Sequence, residues 1–233
     1  MEVMLKTLRE GLPRLGLDLT EDQINTLCQF GCGVVKQNEV MNLTAITESA
    51  QVAKLHLLDS ISLLAVADLK GKRIIDVGCG AGFPGVPVKI ACPEAKLTLL
   101  DSLGKRVAWL ERYLPELGVE AECITARAEE AVATRRESYD FATSRAVARL
   151  NILLELTAPY VKIGGAVLAM KGAAAKEELA EAKSAINKLG LKLEQVVEFP
   201  GADGTHAVIL LRKVSHTPPQ YPRRFARIKQ SPL

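Results

Sequence analysis

Over the first 70 residues the apolar positions repeat at helical spacing. Leu5, Leu8, Leu12 and Leu15 form one stripe, and Ile24, Leu27, Phe30, Val34 and Val35 form a second. Thr20-Glu21-Asp22-Gln23 is a capping box that opens the second helix, which should end near Asn38. Asn42-Leu43-Thr44 is a polar break, Thr47 is placed to cap the next helix, and residues 56–69 continue as an amphipathic helix. No strand pattern appears before Arg73.

From Arg73 onward short apolar runs alternate with helical stripes. Strands are predicted at residues 73–77, 96–100, 119–125, 139–143 and 165–170. Helices are predicted at 105–117, 149–161 and 174–190, with a short one starting at Arg127. The ending differs. Residues 193–199 and 207–212 are two strands with only Pro200-Gly201-Ala202-Asp203-Gly204 between them, too close for a parallel crossover, which predicts an antiparallel hairpin. The chain divides on this pattern into a helical cap (1–70), an α/β domain (71–213) and a tail (214–233).

Composition changes this picture little. A chain of 233 residues that is 48% hydrophobic and 24% charged can bury a sizeable core and matches an ordinary globular protein. No apolar run reaches membrane-spanning length, and Met1-Glu2-Val3-Met4-Leu5-Lys6 lacks a basic region followed by an apolar one, so the expected location is the cytoplasm. The five cysteines have no partners at zinc spacing and are read as reduced thiols, with no metal expected. Charge is more informative. Residues 1–70 hold six basic and nine acidic side chains, whereas 214–233 hold Arg223, Arg224, Arg227 and Lys229 and no acid. A short basic tail on a near-neutral body points to a polyanionic partner.

The chemistry gathers around Asp76-Val77-Gly78-Cys79-Gly80-Ala81-Gly82-Phe83-Pro84-Gly85. A strand runs into three alternating glycines, and Pro84 suits the first turn of a helix. Without Cβ atoms the glycines allow a sharp turn and let a ligand lie on bare backbone. Strand, glycine loop and helix open a nucleotide-binding doubly wound sheet. The bare G-x-G-x-x-G string also suits a nicotinamide-dependent oxidoreductase. Asp76 two residues before Gly78, and Asp101-Ser102 at the end of the next strand, shift the balance, because an acid there can take both ribose hydroxyls. This combination resembles class I S-adenosylmethionine-dependent methyltransferases.

A longer ordered set narrows the resemblance. It comprises Asn38-x3-Asn42-Leu43-Thr44-x-Ile46, His56-x2-Asp59-Ser60, the glycine stretch, Asp101-Ser102-x2-Lys105-Arg106, Arg127-Ala128-Glu129, Ser144-Arg145-Ala146, Lys171-Gly172 and Tyr221-Pro222-Arg223. Together these resemble the ribosomal RNA small-subunit methyltransferase G family, also called glucose-inhibited division protein B. Two positions depart from it: Cys79 stands where the family usually has serine, and Arg223-Arg224-Phe225-Ala226-Arg227-Ile228 replaces a Gly-x-Pro pattern. The resemblance implies a Rossmann-like seven-stranded sheet and methyl transfer from S-adenosylmethionine to N7 of a guanine in the decoding-site loop of 16S ribosomal RNA. The implied partner is that RNA or the small ribosomal subunit, engaged by a monomer.

What the sequence lacks agrees with that reaction. Ser144-Arg145-Ala146 occupies the place of the Asn/Asp-Pro-Pro-aromatic motif of exocyclic amine methylation, and no cysteine nucleophile follows Cys123. Guanine N7 already offers an in-plane lone pair, so no acid–base pair is expected.

Roles then follow from position. Gly78, Gly80 and Gly82 let the backbone approach the amino-acid part of the cofactor, and Phe83 packs on it or on the core. Asp101, beside Ser102, takes the ribose hydroxyls or caps a helix. Ala128 and Glu129 meet the adenine, unless Glu129 is a solvated glutamate. Arg145 pairs with the cofactor carboxylate or an RNA phosphate. Lys171 contacts phosphate or guanine O6, or is solvated. Arg145 and Lys171 are the candidates for positioning, and no residue stands out as a catalytic acid or base. His56, Asp59 and Ser60 are read as the cap's contact with the sheet edge, and His206 as a strand residue. Tyr221, Arg223, Arg224 and Arg227 are assigned to RNA, through stacking and phosphate contacts, by a tail that adds little to the fold. A non-catalytic RNA-binding protein is the other alternative, opposed by the intact Asp76, glycines and Asp101.

Overall fold

The computed structural model describes residues 1–201 and 204–233. Seven strands form one sheet: β1 Arg73–Val77, β2 Lys96–Asp101, β3 Glu122–Thr125, β4 Tyr139–Arg145, β5 Val161–Lys171, β6 Leu191–Gly201 and β7 Gly204–Lys213. Their order is β3-β2-β1-β4-β5-β7-β6. All pairings are parallel except those of β7 with β5 and β6. The expected hairpin is therefore present; Ala202 and Asp203 of its link lie outside the described residues. The sheet is the one the hydrophobic pattern implied, and its strand order reverses between β1 and β4. The crevice beyond the carboxyl ends at such a reversal is where doubly wound sheets bind ligands.

Alternation along the strands sorts side chains to two faces. Ile74, Leu97, Leu99, Leu168 and Leu210 face one core, and Ile75, Val77, Leu100, Val167, Ile209 and Leu211 face the other. The first core is continuous with the N-terminal helices: Met4, Leu8, Phe30 and Leu57 pack with Phe83, Leu97 and Leu110. The second is closed by the Leu150–Thr157 helix and by Ala182, Ala185 and Leu189.

The helical segment departs from expectation in its details. The capping box forms, with the Thr20 hydroxyl accepting from Gln23 N and the Gln23 side chain accepting from Thr20 N. The helix runs on to Met41, three residues past the expected end, and stops at Asn42 in the left-handed region (φ 45). The next cap is Glu48, not Thr47, because its two carboxylate oxygens accept from both Ala50 N and Gln51 N. Residues 49–65 form a series, α-helical Ser49–Val52, π-helical Ala53–Leu58, α-helical Asp59–Ile61 and 3-10 Ser62–Ala65, so the helix expected at 56–69 begins earlier, changes type along its length and stops four residues short. Pro84 stands at the N-cap of the Gly85–Ala91 helix rather than inside its first turn. The helix expected at 174–190 is two, Ala175–Glu181 and Lys183–Lys188.

The tail is folded onto the body, contrary to expectation. Glu155, with no exposure, accepts from Arg223 N at 2.9 Å, Nε at 2.7 Å and Nη2 at 2.6 Å. Arg136 donates to the carbonyls of Thr217 and Tyr221. Tyr221 packs on the second core, and Ile228 of the C-terminal helix Phe225–Gln230 is fully buried. A charged carboxylate inside an apolar helix face must be paired, and Arg223 is its partner.

Candidate functional site

Beyond the carboxyl ends of β1, β2, β3 and β4 lies a cavity of about 600 Å³, lined by residues 77–81, 100–103, 126–129 and 145–147. Gly78, Gly80 and Gly82 hold φ of 75°, 56° and 95°. A Cβ at Gly78 would sit 2.5 Å from Val147, so the turn needs glycine on both conformational and steric grounds. The loop is tied to the sheet by Gly78 N and Cys79 N donating to Leu100 O. Asp101 completes it: Oδ2 accepts from Gly80 N at 2.9 Å and Oδ1 from Leu103 N at 2.8 Å. One carboxylate thus fixes the glycine turn and the start of the next helix while lining the cavity beside Ser102. Ala128 and Glu129 line it too, and the Tyr160 hydroxyl holds Ala128 O at 2.6 Å.

Asp76 lies behind the loop. It is fully buried, its Oδ2 accepts from Gly85 N at 2.8 Å, and its Oδ1 has no partner among the described residues. Burial pushes its pKa up to about 7, against the pull of the Gly85 bond and the Arg145 charge. An unfolded aspartate titrates near 4, so the folded state holds a proton that the unfolded state releases between about pH 4 and 7. The stability this group contributes is full below pH 4 and is lost as pH rises to 7. His56 runs the other way. Burial and then the Arg145 charge lower its pKa to about 4, so its contribution is full above about pH 6.5 and lost toward pH 4. The two trends oppose each other in one window. In Asp76→Asn the first is removed, and the variant should gain on the wild type by on the order of 4 kcal/mol between pH 4 and 7 in urea melts. A pH-independent difference would mean that the Asp76 carboxyl is not shifted.

A second cavity, about 640 Å³, adjoins the first and shares His56, Arg145, Ala146 and Val147 with it. Arg145 is the centre of this wall. Nη1 donates to Leu55 O and Asp59 Oδ2, both at 2.9 Å, Nη2 lies 3.2 Å from His56 Nδ1, and the guanidinium lies 5.0 Å from the Phe83 ring centroid. His56 Nδ1 also lies 3.0 Å from Leu55 O, which can only accept, so its two neighbours call for opposite tautomers, and Nε2 lies 2.7 Å from the Thr44 hydroxyl. Asn38 holds that loop by accepting from Leu43 N and Thr44 N. Burial pushes the Asp59 carboxyl up, but the His206 hydrogen bond and the Arg145 charge outweigh it and hold its pKa below the ordinary value. Ala146 follows at φ 56, a strained value for a residue with a Cβ, at the junction of the two cavities.

The structure thus brings together Gly78, Gly80, Phe83, Asp101, Ser102, Ala128, Glu129 and Arg145 around one cavity, whereas Gly82 lies outside its lining, where a Cβ would meet Val86, Leu110 and Phe30 of the core. Phe83 is at once core and cavity wall, buried against Phe30 (5.3 Å between centroids) and stacked on His56 (4.8 Å). Lys171 is not a solvated lysine: Nζ donates to Ala148 O at 2.5 Å and pairs with Glu178 at 2.8 Å, inside the second cavity. Arg223 and Tyr221 are held by the body as described, which removes Arg223 from phosphate contact. Arg224 and Arg227 are exposed. His206 is more than a strand residue, since Nδ1 lies 3.2 Å from Asp59 Oδ1 and it lines the second cavity. The sequence reading missed Leu43, Thr44, Leu156 and Phe225 as cavity residues, and it gave His56 and Asp59 a structural role only. The motif positions Asn38, Thr44, His56 and Asp59 carried the signal, since their polar side chains in a helical cap had no other task.

Among the described residues no group of three or more His, Cys, Asp or Glu could hold a metal ion, and no helix is long and apolar enough to cross a membrane. Residues 23–207 match the family model described as rRNA small subunit methyltransferase G. The chain is 42% identical over 232 residues, 97% of each chain, to a Ribosomal RNA small subunit methyltransferase G from Alkaliphilus metalliredigens. A protein of the same description from Desulfitobacterium hafniense is 43% identical over 225 residues, 94% of this chain and 93% of that one. Among solved structures, the fold resembles an O-methyltransferase from Bacillus cereus in complex with SAH (TM-score 0.60, 13% identity, 79% of this chain and 90% of that one). It also resembles the 16S rRNA (adenine(1408)-N(1))-methyltransferase from Catenulisporales acidiphilia (TM-score 0.54, 14% identity, 64% and 87%).

Proposed function

The chain belongs to the rRNA small subunit methyltransferase G family, and on that premise we propose that it transfers the methyl group of S-adenosylmethionine to N7 of a guanine in the decoding-site loop of 16S ribosomal RNA. The observation that carries the reading is the pair of adjoining cavities with the wall His56, Arg145, Ala146 and Val147 in common. One is suited to a nucleoside cofactor and the other to a purine.

The first cavity fits the cofactor. Its volume lies in the usual ligand range of about 300–1,000 Å³. The glycine backbone is bare, and each Asp101 oxygen, engaged once, retains a lone pair for a hydroxyl. When bound, S-adenosylmethionine supplies an electrophilic sulfonium methyl group. Gly78 and Gly80 would hold its amino-acid part, Asp101 and Ser102 would face the ribose, and Ala128 and Glu129 would face the adenine.

The second cavity supplies alignment, which is what an N7 acceptor requires. Its two buried cations are each matched by a carboxylate, Arg145 by Asp59 and Lys171 by Glu178. No unbalanced positive charge therefore opposes the cation that N7 methylation creates. Lys171 Nζ suits guanine O6, and the Asp59 and Glu178 carboxylates suit its N–H groups. Arg224 and Arg227 are left as the tail's RNA contacts. The segment 1–70 forms the acceptor wall, 71–213 the donor site and 214–233 the closing tail of a cytoplasmic monomer.

The test is methyl transfer to small ribosomal subunits, and to bare 16S RNA, from a strain lacking the gene. N7-methylguanine should appear in the decoding-site loop. Asp101→Asn should weaken S-adenosylhomocysteine binding by about tenfold, because a charged acceptor is lost and the new amide NH₂ faces a backbone N–H. Label on another base, or an unchanged dissociation constant, would contradict the respective assignment.

A further inference from the structure

The C-terminal helix supplies part of one end of the cofactor cavity. Phe225, on the C-terminal helix Phe225–Gln230, lines it together with Leu156 and Ala126 to Glu129. The Leu150–Thr157 helix touches both the Ala128–Ala131 helix and the C-terminal helix, so Phe225, Leu156 and Ala128 share one end of the cavity. That end lies beyond β3, away from the glycine turn that would hold the amino-acid part.

Phe225 is held in place from both sides. Two residues before it, Arg223 is fixed by three hydrogen bonds to the fully buried Glu155, the neighbour of Leu156. Three residues after it, on the same side of the helix, Ile228 is fully buried. Yet Phe225 itself is only half-buried. The anchors on either side are covered, and the aromatic ring between them is left against a cavity. A half-covered ring there is a flat apolar face for a flat ligand. The exposed Arg227 lies on the other side of the same short helix, and the exposed Arg224 is its N-cap.

We propose that Phe225 is the aromatic wall of the adenine end of the cofactor cavity, so that the C-terminal segment is part of the methyl-donor site. This rests on the reading of the first cavity as the S-adenosylmethionine site. It extends that site to a segment where the chain departs from its family's Gly-x-Pro pattern.

Binding of S-adenosylhomocysteine to the full chain tests it without any methyl-transfer assay. Phe225→Ala should weaken the dissociation constant by about tenfold, the worth of one base–aromatic stack, while the melting temperature of the unliganded protein stays near wild type. Phe225→Trp should bind about as well as wild type. It also reports directly, because the natural tryptophan, Trp109, is buried in the first core. Emission from the indole introduced by that substitution should be quenched by S-adenosylhomocysteine and by adenosine, and not by methionine. An unchanged dissociation constant in Phe225→Ala, with a silent indole in Phe225→Trp, would overturn the proposal. A wild-type chain that binds no S-adenosylhomocysteine at all would instead overturn the cofactor assignment on which it rests.

Discussion

Replacing Arg223 by alanine should lower the melting temperature by roughly 6–12 °C. The substitution leaves Glu155 with no exposure and without its guanidinium partner. Removing one member of a buried pair typically costs 3–5 kcal/mol, and the lower end applies here because the Arg223 side chain retains 18% exposure. At this chain length each kcal/mol moves the melting temperature by about 2–4 °C. The pair itself is not the source of the stability; the orphaned charge is the source of the loss. Arg223→Ala combined with Glu155→Leu should therefore regain much of the drop. Truncation after Pro219 should be at least as damaging as Arg223→Ala, because Tyr221 and Ile228 are lost as well. A truncated chain that melts like wild type would show that the tail is held only loosely.

The signal for this contact was half-present in the sequence. Glu155 interrupts the apolar run Leu153-Leu154-Glu155-Leu156, and an acid there needs a partner. The partner lies 68 residues away, and no local pattern links the two. Four cations without an acid looked like a solvated polyanion contact, and only the tertiary structure separates Arg223, facing inward, from Arg224 and Arg227, facing out. The sheet was legible for the opposite reason. Its signals are local: β-branched runs, alternating glycines after Val77, and a short link that forbids a crossover. Element ends were less so. Asn42 could stop a helix as well as Asn38 could, and the π-helical Ala53–Leu58 has no periodicity of its own. The donor site followed from one strand–turn–helix motif and its neighbouring acid. The second cavity did not, because His56, Asp59, Arg145 and His206 come from three separate parts of the chain.

Arg145 is where that cavity is most exposed to test. Arg145→Lys should leave the protein folded and lower kcat by about 100-fold. Lysine keeps a charge near Asp59, so no buried carboxylate is orphaned. It loses the planar fork that reaches Leu55 O, Asp59 and His56 Nδ1 together. Without the fork, His56 loses the guanidinium beside its Nδ1, and Phe83 loses the guanidinium over its ring. Phe83 and His56 line the first cavity and His56 also lines the second, so on the proposed assignment both reactants lose alignment. A misplacement of about 1 Å is enough to cost about 100-fold in rate. Arg145 is a candidate for the cofactor carboxylate or an RNA phosphate on sequence grounds; in the structure Nη1 is engaged by Leu55 O and Asp59, which adds a third role. The three roles separate cleanly. A fall in kcat with little change in S-adenosylhomocysteine affinity or in the RNA Michaelis constant marks a positioning residue. A loss of S-adenosylhomocysteine affinity in step with rate would return Arg145 to the cofactor carboxylate. A raised RNA Michaelis constant at unchanged kcat would return it to a phosphate.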